Sequence, residues 1–114
     1  MTNDFRLRVL FYRTNSGNEP VREWLKSLPI QDRKIIGDDL KTVQYGWPLG
    51  MPLIRKLEAN LWEVRSRLDQ RIVRVLFTVE GDTMVLLHGF IKKSQKAPTA
   101  DLKLARQRLR DLLG

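Results

Sequence analysis

Apolar positions along the chain follow two spacings, and their order predicts seven secondary-structure elements. Alternate residues are apolar in 5–13, which is typical of a β-strand. In 20–27, and again in a segment that begins after Pro29, apolar residues recur every three or four positions, which predicts two helices. Alternation returns in 61–67, 71–79 and 83–92, with short turns between them, and 99–113 has the pattern of a last helix.

The order β-α-α-β-β-β-α predicts an α+β domain in which helices pack on one mainly antiparallel sheet. We expect a single domain over residues 1–114, because a chain of this length usually forms one. The apolar stripe of the second helix comprises Ile35, Ile36, Leu40 and Val43. Its charged face is expected to include Asp32 and Asp39. Residues 46–52 are rich in glycine and proline and predict an irregular crossing to the sheet.

The composition adds a strong positive charge. The chain has 21 Lys and Arg and 13 Asp and Glu, so its formal net charge is +8. Hydrophobic residues make up 42%, which is too many for a disordered chain, so the charge lies on a folded domain. A basic domain favours a polyanionic partner, with nucleic acid first, although an acidic protein also fits.

Other features of the composition exclude several classes of site. The absence of cysteine excludes disulfides and cysteine-bound zinc, and a single histidine argues against a histidine-rich metal site, so we expect no metal or cofactor. The longest apolar run has four residues, and the N-terminus lacks the apolar region of a signal peptide. We therefore expect a cytoplasmic protein without a membrane span.

Most of the excess charge falls near the C-terminus. Residues 92–110 hold seven lysines and arginines against Asp101 alone, which places +6 of the net +8 in this stretch. For three of these cations, a solvated helix face is as good an explanation as a binding role, namely Lys103, Arg106 and Arg110. A tighter cluster beside the end of the last strand comprises Lys92, Lys93 and Lys96. We expect this cluster to lie next to the sheet.

Two arginines are predicted to face each other across the first hairpin of the C-terminal strands. If Asp69-Gln70 is a two-residue loop, Arg65 lies opposite Arg74, on the face of the sheet that does not carry Trp62. Like charges in that arrangement repel and cost stability, which favours a shared task such as phosphate binding. The alternative is that Glu63, on the same face, pairs with one of the arginines.

The single histidine lies within the last strand, and its face is predicted to depend on the preceding turn. A two-residue loop at 81–82 would place His88 opposite Val75, whereas a three-residue loop would place it opposite Leu76, beside the arginines. Both registers are open at this point. Gly89, the next residue, lacks a side chain and so allows a ligand or another chain to approach closely.

These residue types suit RNA cleavage without a metal ion. No carboxylate cluster offers a two-metal site, and no glycine-rich Walker loop is present. In RNA cleavage a base activates the ribose 2′-hydroxyl, cations stabilise the phosphorane, and an acid protonates the leaving 5′-oxygen. Histidine has an intrinsic pKa suited to either proton transfer. On composition alone, a nucleic-acid-binding module without catalysis fits almost as well.

Two longer motifs resemble one family. The run PLIRKLEANLWEVR, residues 52–65, resembles a segment of phage-derived HigB-like toxins, which belong to the RelE/ParE superfamily of type II toxin–antitoxin systems. The run LLHGFIKKSQKAP, residues 86–98, resembles that family's histidine- and lysine-containing signature. The tail with Ala105 and Arg108 resembles its closing helix. Because the motifs keep their order and spacing, the resemblance covers nearly the whole chain.

The resemblance implies a microbial-RNase-like α+β fold and metal-free cleavage of mRNA on the ribosome. It also implies a cognate antitoxin, in this branch often a helix-turn-helix DNA-binding protein, and contact with operator DNA only through that antitoxin. The catalytic set would be Arg65, Arg74, His88 and Lys92. In that set the two arginines hold the scissile phosphate and the histidine transfers a proton. The RNA-binding residues would be Lys56, Lys93 and Lys96.

The chain departs from this family in one respect. Several RelE-type toxins carry a tyrosine near the C-terminal end of the site, whereas the tyrosines here are Tyr12 and Tyr45, which fall elsewhere. Phe90 is expected either to belong to the core or to stack on a base, but it cannot transfer a proton. ParE-type members of the superfamily inhibit DNA gyrase and cut nothing. A gyrase inhibitor and a plain RNA-binding module are therefore the alternatives.

Overall fold

The computed structural model describes residues 6–92 and 98–114, and eight elements lie within them. In chain order they are β1 (Arg8–Phe11), α1 (Pro20–Ser27), α2 (Ile30–Gly46), β2 (Ile54–Glu58), β3 (Leu61–Leu68), β4 (Arg71–Glu80), β5 (Thr83–Lys92) and α3 (Thr99–Leu113). The first strand is shorter than the predicted 5–13, and Phe5 lies outside the described residues. Among the helices of the described residues, none has the length and apolar character that a membrane span needs.

The five strands form one sheet in the order β1-β5-β4-β3-β2. Strands β2 to β5 pair as successive antiparallel hairpins, and β1 runs parallel to β5. Helices α1 and α2 pack on one face of the sheet, the helix-pair face, and α3 packs on the other, the α3 face. The predicted α+β class with a mainly antiparallel sheet is confirmed, and the arrangement is compatible with a RelE-like fold.

Each face of the sheet has its own core, because residues along a strand alternate between the two faces. On the helix-pair face, Val64, Val75 and Phe77 belong to one cluster with Ile36 and Val43 of α2. On the α3 face, the second cluster includes Leu61, Leu76, Leu87, Ala105 and Leu109. Since both faces are covered, most of β4 is buried and can hold polar side chains away from solvent.

Strand β2 is absent from the predicted order and is the main correction to the fold. Four strands follow the helix pair instead of the three that were predicted. Ile54 is buried opposite Val64, but Arg55 and Lys56 are both exposed, because β2 forms an edge of the sheet. Two adjacent exposed cations break the apolar alternation that identifies a strand in sequence.

A second correction concerns the buried side of α2. Ile36 and Val43 are buried as predicted, whereas Ile35 is 40% exposed. Asp32, expected on the charged face, is buried and accepts a 2.8 Å hydrogen bond from Nη2 of Arg71. Asp32 lies one turn before Ile36 and so shares its face, while Ile35 is rotated by about 100° from it.

The predicted irregular crossing is confirmed, although it covers 47–53 instead of 46–52, because Gly46 still belongs to α2. Trp47 of this crossing packs edge-on against Trp62 and Phe77, with ring centroids 5.2 Å and 5.8 Å away. Edge-to-face contacts of this kind add to the burial of large apolar surfaces. The crossing therefore covers part of the core on the helix-pair face.

Candidate functional site

The hairpin of β3 and β4 has the predicted register. Asp69 and Gln70 form its two-residue loop, with Gln70 in the left-handed region at a φ of 56°. Arg65 pairs directly with Arg74 across the strands. Because Trp62 packs on the helix-pair face, alternation places both arginines on the α3 face of the sheet.

A buried glutamate lies between the two arginines. Oε2 of Glu63 is 3.4 Å from Nε of Arg74, and Oε1 is 4.0 Å from Nε of Arg65. The alternative predicted that Glu63 pairs with one arginine. The structure goes further, because the carboxylate forms an ion pair with both. Glu63 has no exposed surface and Arg74 is 7% exposed, whereas 25% of the Arg65 side chain is exposed. Arg65 is thus the arginine that a ligand reaches more readily.

The carboxylate of Glu63 attracts both guanidinium groups, but its oxygens form no hydrogen bond with the Nε atoms that lie closest to them. In the described part of the chain, both carboxylate oxygens of Glu63 and Nε of both arginines are shielded from solvent and lack a hydrogen-bond partner. Burying ionised groups in this way costs folding free energy that the ion pairs only partly return. Such an arrangement calls for an explanation other than stability, and ligand binding is one.

His88 lies on the same face as the arginines, but for a reason that differs from the predicted one. The turn between β4 and β5 is the two-residue loop, with Glu80 paired to Thr83. A bulge then follows, since Phe77 pairs with Leu86 while the preceding residue of β4 pairs with His88. The extra residue in β5 shifts the register by one, so that the histidine faces Leu76 despite the short loop.

The imidazole of His88 is held by an acidic residue of α3. Its Nε2 lies 2.6 Å from Oδ1 of Asp101, and its ring stacks on Phe90 at 5.6 Å between centroids. An ionised carboxylate only accepts hydrogen bonds, so Nε2 carries the proton that is donated and Nδ1 is the acceptor of the neutral ring. In the sequence, Asp101 was noted only as the single acidic residue of 92–110, because its contact with a strand residue 13 positions earlier depends on how α3 docks.

The position of Phe90 bears on the first of its two predicted roles, a place in the core, while stacking on a base stays a prediction. It packs against the core under α3, yet it is only half-buried. It also lies directly opposite Arg74 on the neighbouring strand. The ring therefore supports the imidazole and lies across the strands from the buried arginine.

The predicted lysines are distributed over different places. Lys92 pairs with Ile72 and shares the α3 face with Arg74, His88 and Phe90. Lys56 pairs with Trp62, and its Nζ lies over that indole ring at 5.7 Å on the helix-pair face. The structure therefore does not bring Lys56 together with the arginines. Lys93 and Lys96 lie outside the described residues.

Two arginines that were not predicted lie on the α3 face near the cluster. Arg55 pairs with Glu63 from the edge strand β2, and Arg67 pairs with Ile72. Arg67 was recognisable from the sequence, because it follows Arg65 by two residues and must share its face. Arg55 was not, because its strand was missing from the predicted order.

Two of the three arginines of α3 bind within the protein. Nε and Nη2 of Arg106 donate hydrogen bonds of 2.8 and 3.0 Å to Glu58 of β2, and these bonds hold the pKa of Glu58 below its usual value. Nη1 of Arg108 donates to the carbonyl of Leu87 at 2.7 Å, and burial lowers the pKa of this arginine. The positive charge that the sequence concentrates in 92–110 is thus partly used for folding.

The space beside Gly89, expected to admit a ligand or another chain, is filled by the protein itself. A Cβ at this residue would overlap the ring of Trp24, which packs from α1 directly against the strand. The glycine therefore serves the packing of α1 on β5.

Comparison with known proteins identifies the family of this chain. Residues 23–110 match the model of a family described as phage derived protein Gp49-like (DUF891), which covers most of the chain. The chain belongs to the Gp49-like family. This family is associated with the toxins of toxin–antitoxin systems. No curated protein matches the sequence.

The α3 face of this Gp49-like protein combines positive charge with a group that can transfer a proton. The stretch shared with the family contains Arg65, Arg74, His88, Lys92 and Asp101. Guanidinium groups bind phosphate oxygens, and an imidazole whose other nitrogen is held by a carboxylate can accept a proton in a fixed orientation. The arrangement is therefore suited to a phosphodiester that must both bind and react.

Proposed function

We propose that this protein is the toxin of a type II toxin–antitoxin system and that it cleaves mRNA on the ribosome. The observation that carries the proposal is the shared face of the sheet, on which the Arg65–Glu63–Arg74 cluster lies beside the His88–Asp101 pair. The association of the Gp49-like family with such toxins supports it.

In the proposed reaction the ribose 2′-hydroxyl attacks the adjacent phosphate and a 2′,3′-cyclic phosphate is formed. Arg65 contacts the phosphate from the exposed side, and Arg74 adds positive charge from below. Negative charge that develops on the phosphorane is stabilised by these groups. Nδ1 of His88 takes part in proton transfer while Asp101 holds the ring through Nε2.

The proposed partners follow from the same function. The lysines at the end of β5 would contact the RNA backbone or ribosomal RNA, namely Lys92, Lys93 and Lys96. A cognate antitoxin, for which a helix-turn-helix DNA-binding protein is our proposal, would neutralise the toxin and connect it to operator DNA. Because ribosomes and operator DNA are cytoplasmic in bacteria, a cytoplasmic location is part of the same proposal. An adjacent reading frame for a small protein of that class would support this part of the proposal.

Programmed ribosomes test the nuclease activity directly. Incubation with the protein should yield shortened mRNA that ends in a 2′,3′-cyclic phosphate. Arg65→Ala should lower the rate of cleavage by about two orders of magnitude, the loss typical for one electrostatic group at a reacting centre. Arg33→Ala is the matched control, because Arg33 is exposed on α2, away from the α3 face, and should cleave as the wild type does.

Other outcomes separate the alternatives. Intact mRNA together with growth arrest on induction would contradict the nuclease and favour a toxin with a different target, such as DNA gyrase. Normal growth on induction would contradict both toxins and leave a basic RNA-binding module.

A further inference from the structure

An open groove of about 390 Å³ lies beside Arg65, where β3 extends past the start of β2. One wall is the crossing that precedes β2, and Leu53 of this crossing accepts a 2.8 Å hydrogen bond from the backbone N–H of Arg65. Helix α2 contributes Ile35 and Asp39 to the lining. The residue of α2 that is more exposed than predicted, Ile35, thus lines this groove.

The lining of the groove has an apolar part and a charged part. The apolar side chains include Ile35, Leu53 and Ile72. The charged side chains are Asp39, Arg65 and Arg67. Within the residues that the structure describes, Asp39 forms no ion pair with either arginine, so its carboxylate is available to accept hydrogen bonds from a ligand.

A nucleotide fits both parts of this lining. A nucleobase has flat faces that apolar side chains can cover, and its phosphates are natural partners of guanidinium groups. The volume falls in the range of about 300–1,000 Å³ that is common for small-molecule sites. Arg65 belongs both to the groove and to the cluster with Glu63, so a nucleotide bound here would be next to the phosphate that the cluster holds.

Asp39 adds a preference among the bases. Guanine offers two neighbouring donors on one edge, the ring N–H and the exocyclic amino group, and both can bond to one carboxylate. Adenine offers one amino donor beside a ring acceptor, which a carboxylate repels. We infer that the groove binds a guanosine nucleotide of single-stranded RNA and that Asp39 is its specificity-determining residue. This inference rests on the proposed function, since it takes RNA as the ligand.

Short RNAs with 2′-O-methyl riboses test the groove without cleavage, because the attacking hydroxyl is blocked. Titration of the full chain with the trinucleotides AGA, AIA and AAA compares guanine with inosine, which lacks the amino group, and with adenine. We expect AGA to bind about tenfold more tightly than AAA, as a bidentate contact provides, with AIA between them. The inosine comparison uses only the wild-type protein, so its result does not depend on whether a variant folds.

Two neighbouring aspartates of α2 supply the variant and its control. Asp39→Asn should reduce the affinity for AGA to that for AAA, whereas Asp38→Asn should keep the preference, because Asp38 does not line the groove. Thermal unfolding should give the same midpoint for both variants. Equal binding of the three trinucleotides by the wild type, or equal loss in both variants, would overturn the inference.

The result also separates this inference from the proposed function. A wild type that prefers AGA but leaves ribosome-bound mRNA intact would support the groove and contradict the nuclease. A wild type that cleaves mRNA yet binds the three trinucleotides equally would do the reverse.

Discussion

Glu63 faces two guanidinium groups and can balance only one of their charges. Its contact with Arg74 is the closer of the two, and both of these side chains are nearly or fully buried. Arg65 differs because part of its side chain reaches solvent, where water screens its charge. The two arginines share one acidic neighbour, but removal of each is expected to change stability by a different amount.

Arg74→Ala should destabilise the protein by about 3–5 kcal/mol, because it leaves a fully buried carboxylate without its nearer cation. Arg65→Ala should cost clearly less, since that arginine is the farther and more exposed partner. Chemical denaturation of both variants measures the difference. The repulsion between the two arginines, considered alone from the sequence, would have predicted the opposite, a gain in stability on removal of either one.

The control for the Arg74 prediction removes both charges at once. Replacing Glu63 and Arg74 together by leucine should restore most of the lost stability, as apolar substitution of buried ion pairs often does. Equal destabilisation by Arg65→Ala and Arg74→Ala would show that burial does not distinguish the two arginines.

Among the secondary-structure elements, predictability depended on whether the deciding contacts were local. The loop at Asp69-Gln70 follows from counting residues between two alternating strands, so the opposition of Arg65 and Arg74 could be predicted. Neither the bulge in β5 nor the edge strand β2 has such a local signal. The bulge depends on how the strand packs against β4 and α3, and β2 is exposed where a core strand would be apolar.

The candidate site divides in the same way. Alternation was enough to predict that Arg65 and Arg74 share a face, and it also predicts the position of Arg67. The bond from His88 to Asp101 depends on the docking of α3, and the groove at Asp39 depends on how α2 packs beside the end of β3. Contacts between elements of this kind leave no spacing in the sequence.

The bidentate pair of Glu58 and Arg106 joins α3 to the edge strand β2, and it predicts a pH dependence. Hydrogen bonds from Arg106 lower the pKa of Glu58 below its usual value of 4.5. The unfolded chain therefore takes up this proton first, so the contribution of the pair is present above about pH 4.5 and is lost as the pH falls through the lower folded pKa. Thermal unfolding of Glu58→Gln and wild type should differ at neutral pH and converge in acid.

Glu80→Gln is the control for this pH series, because Glu80 is exposed at the end of β4. It should follow the wild-type profile at every pH. A gap between Glu58→Gln and wild type that stays constant down to pH 3 would mean that Glu58 does not titrate with a lowered pKa.

At the scale of the whole molecule, the net charge of +8 is only partly available to an external partner. Three cations bind within the protein and so contribute to folding. Arg71 binds Asp32, Arg106 binds Glu58, and Arg108 binds the backbone carbonyl of Leu87. On the α3 face and in the adjoining groove, the cations open to a ligand include Arg65, Arg67 and Lys92. The binding surface is therefore smaller than the total charge suggests.

This distribution predicts a moderate salt dependence of RNA binding. For single-stranded nucleic acid, each phosphate contact contributes about −0.7 to the slope of log affinity against log salt concentration. Three contacts therefore predict a slope of about −2. Arg65→Ala should make the slope shallower by about 0.7, whereas Arg33→Ala should leave it unchanged. A wild-type slope near zero, or one steep enough to require most of the chain's cations, would contradict a site confined to this face.

The bulge at Leu87 also determines where this strand can change length during evolution. Leu87 and His88 both point to the α3 face, so loss of Leu87 would leave a regular strand in which His88, Phe90 and Lys92 keep their side. Loss of Gly89 would instead turn Phe90 and Lys92 towards α1 and separate them from the arginines. A relative that is one residue shorter is therefore compatible with the same site if its gap aligns with Leu87, and incompatible if the gap aligns two residues later.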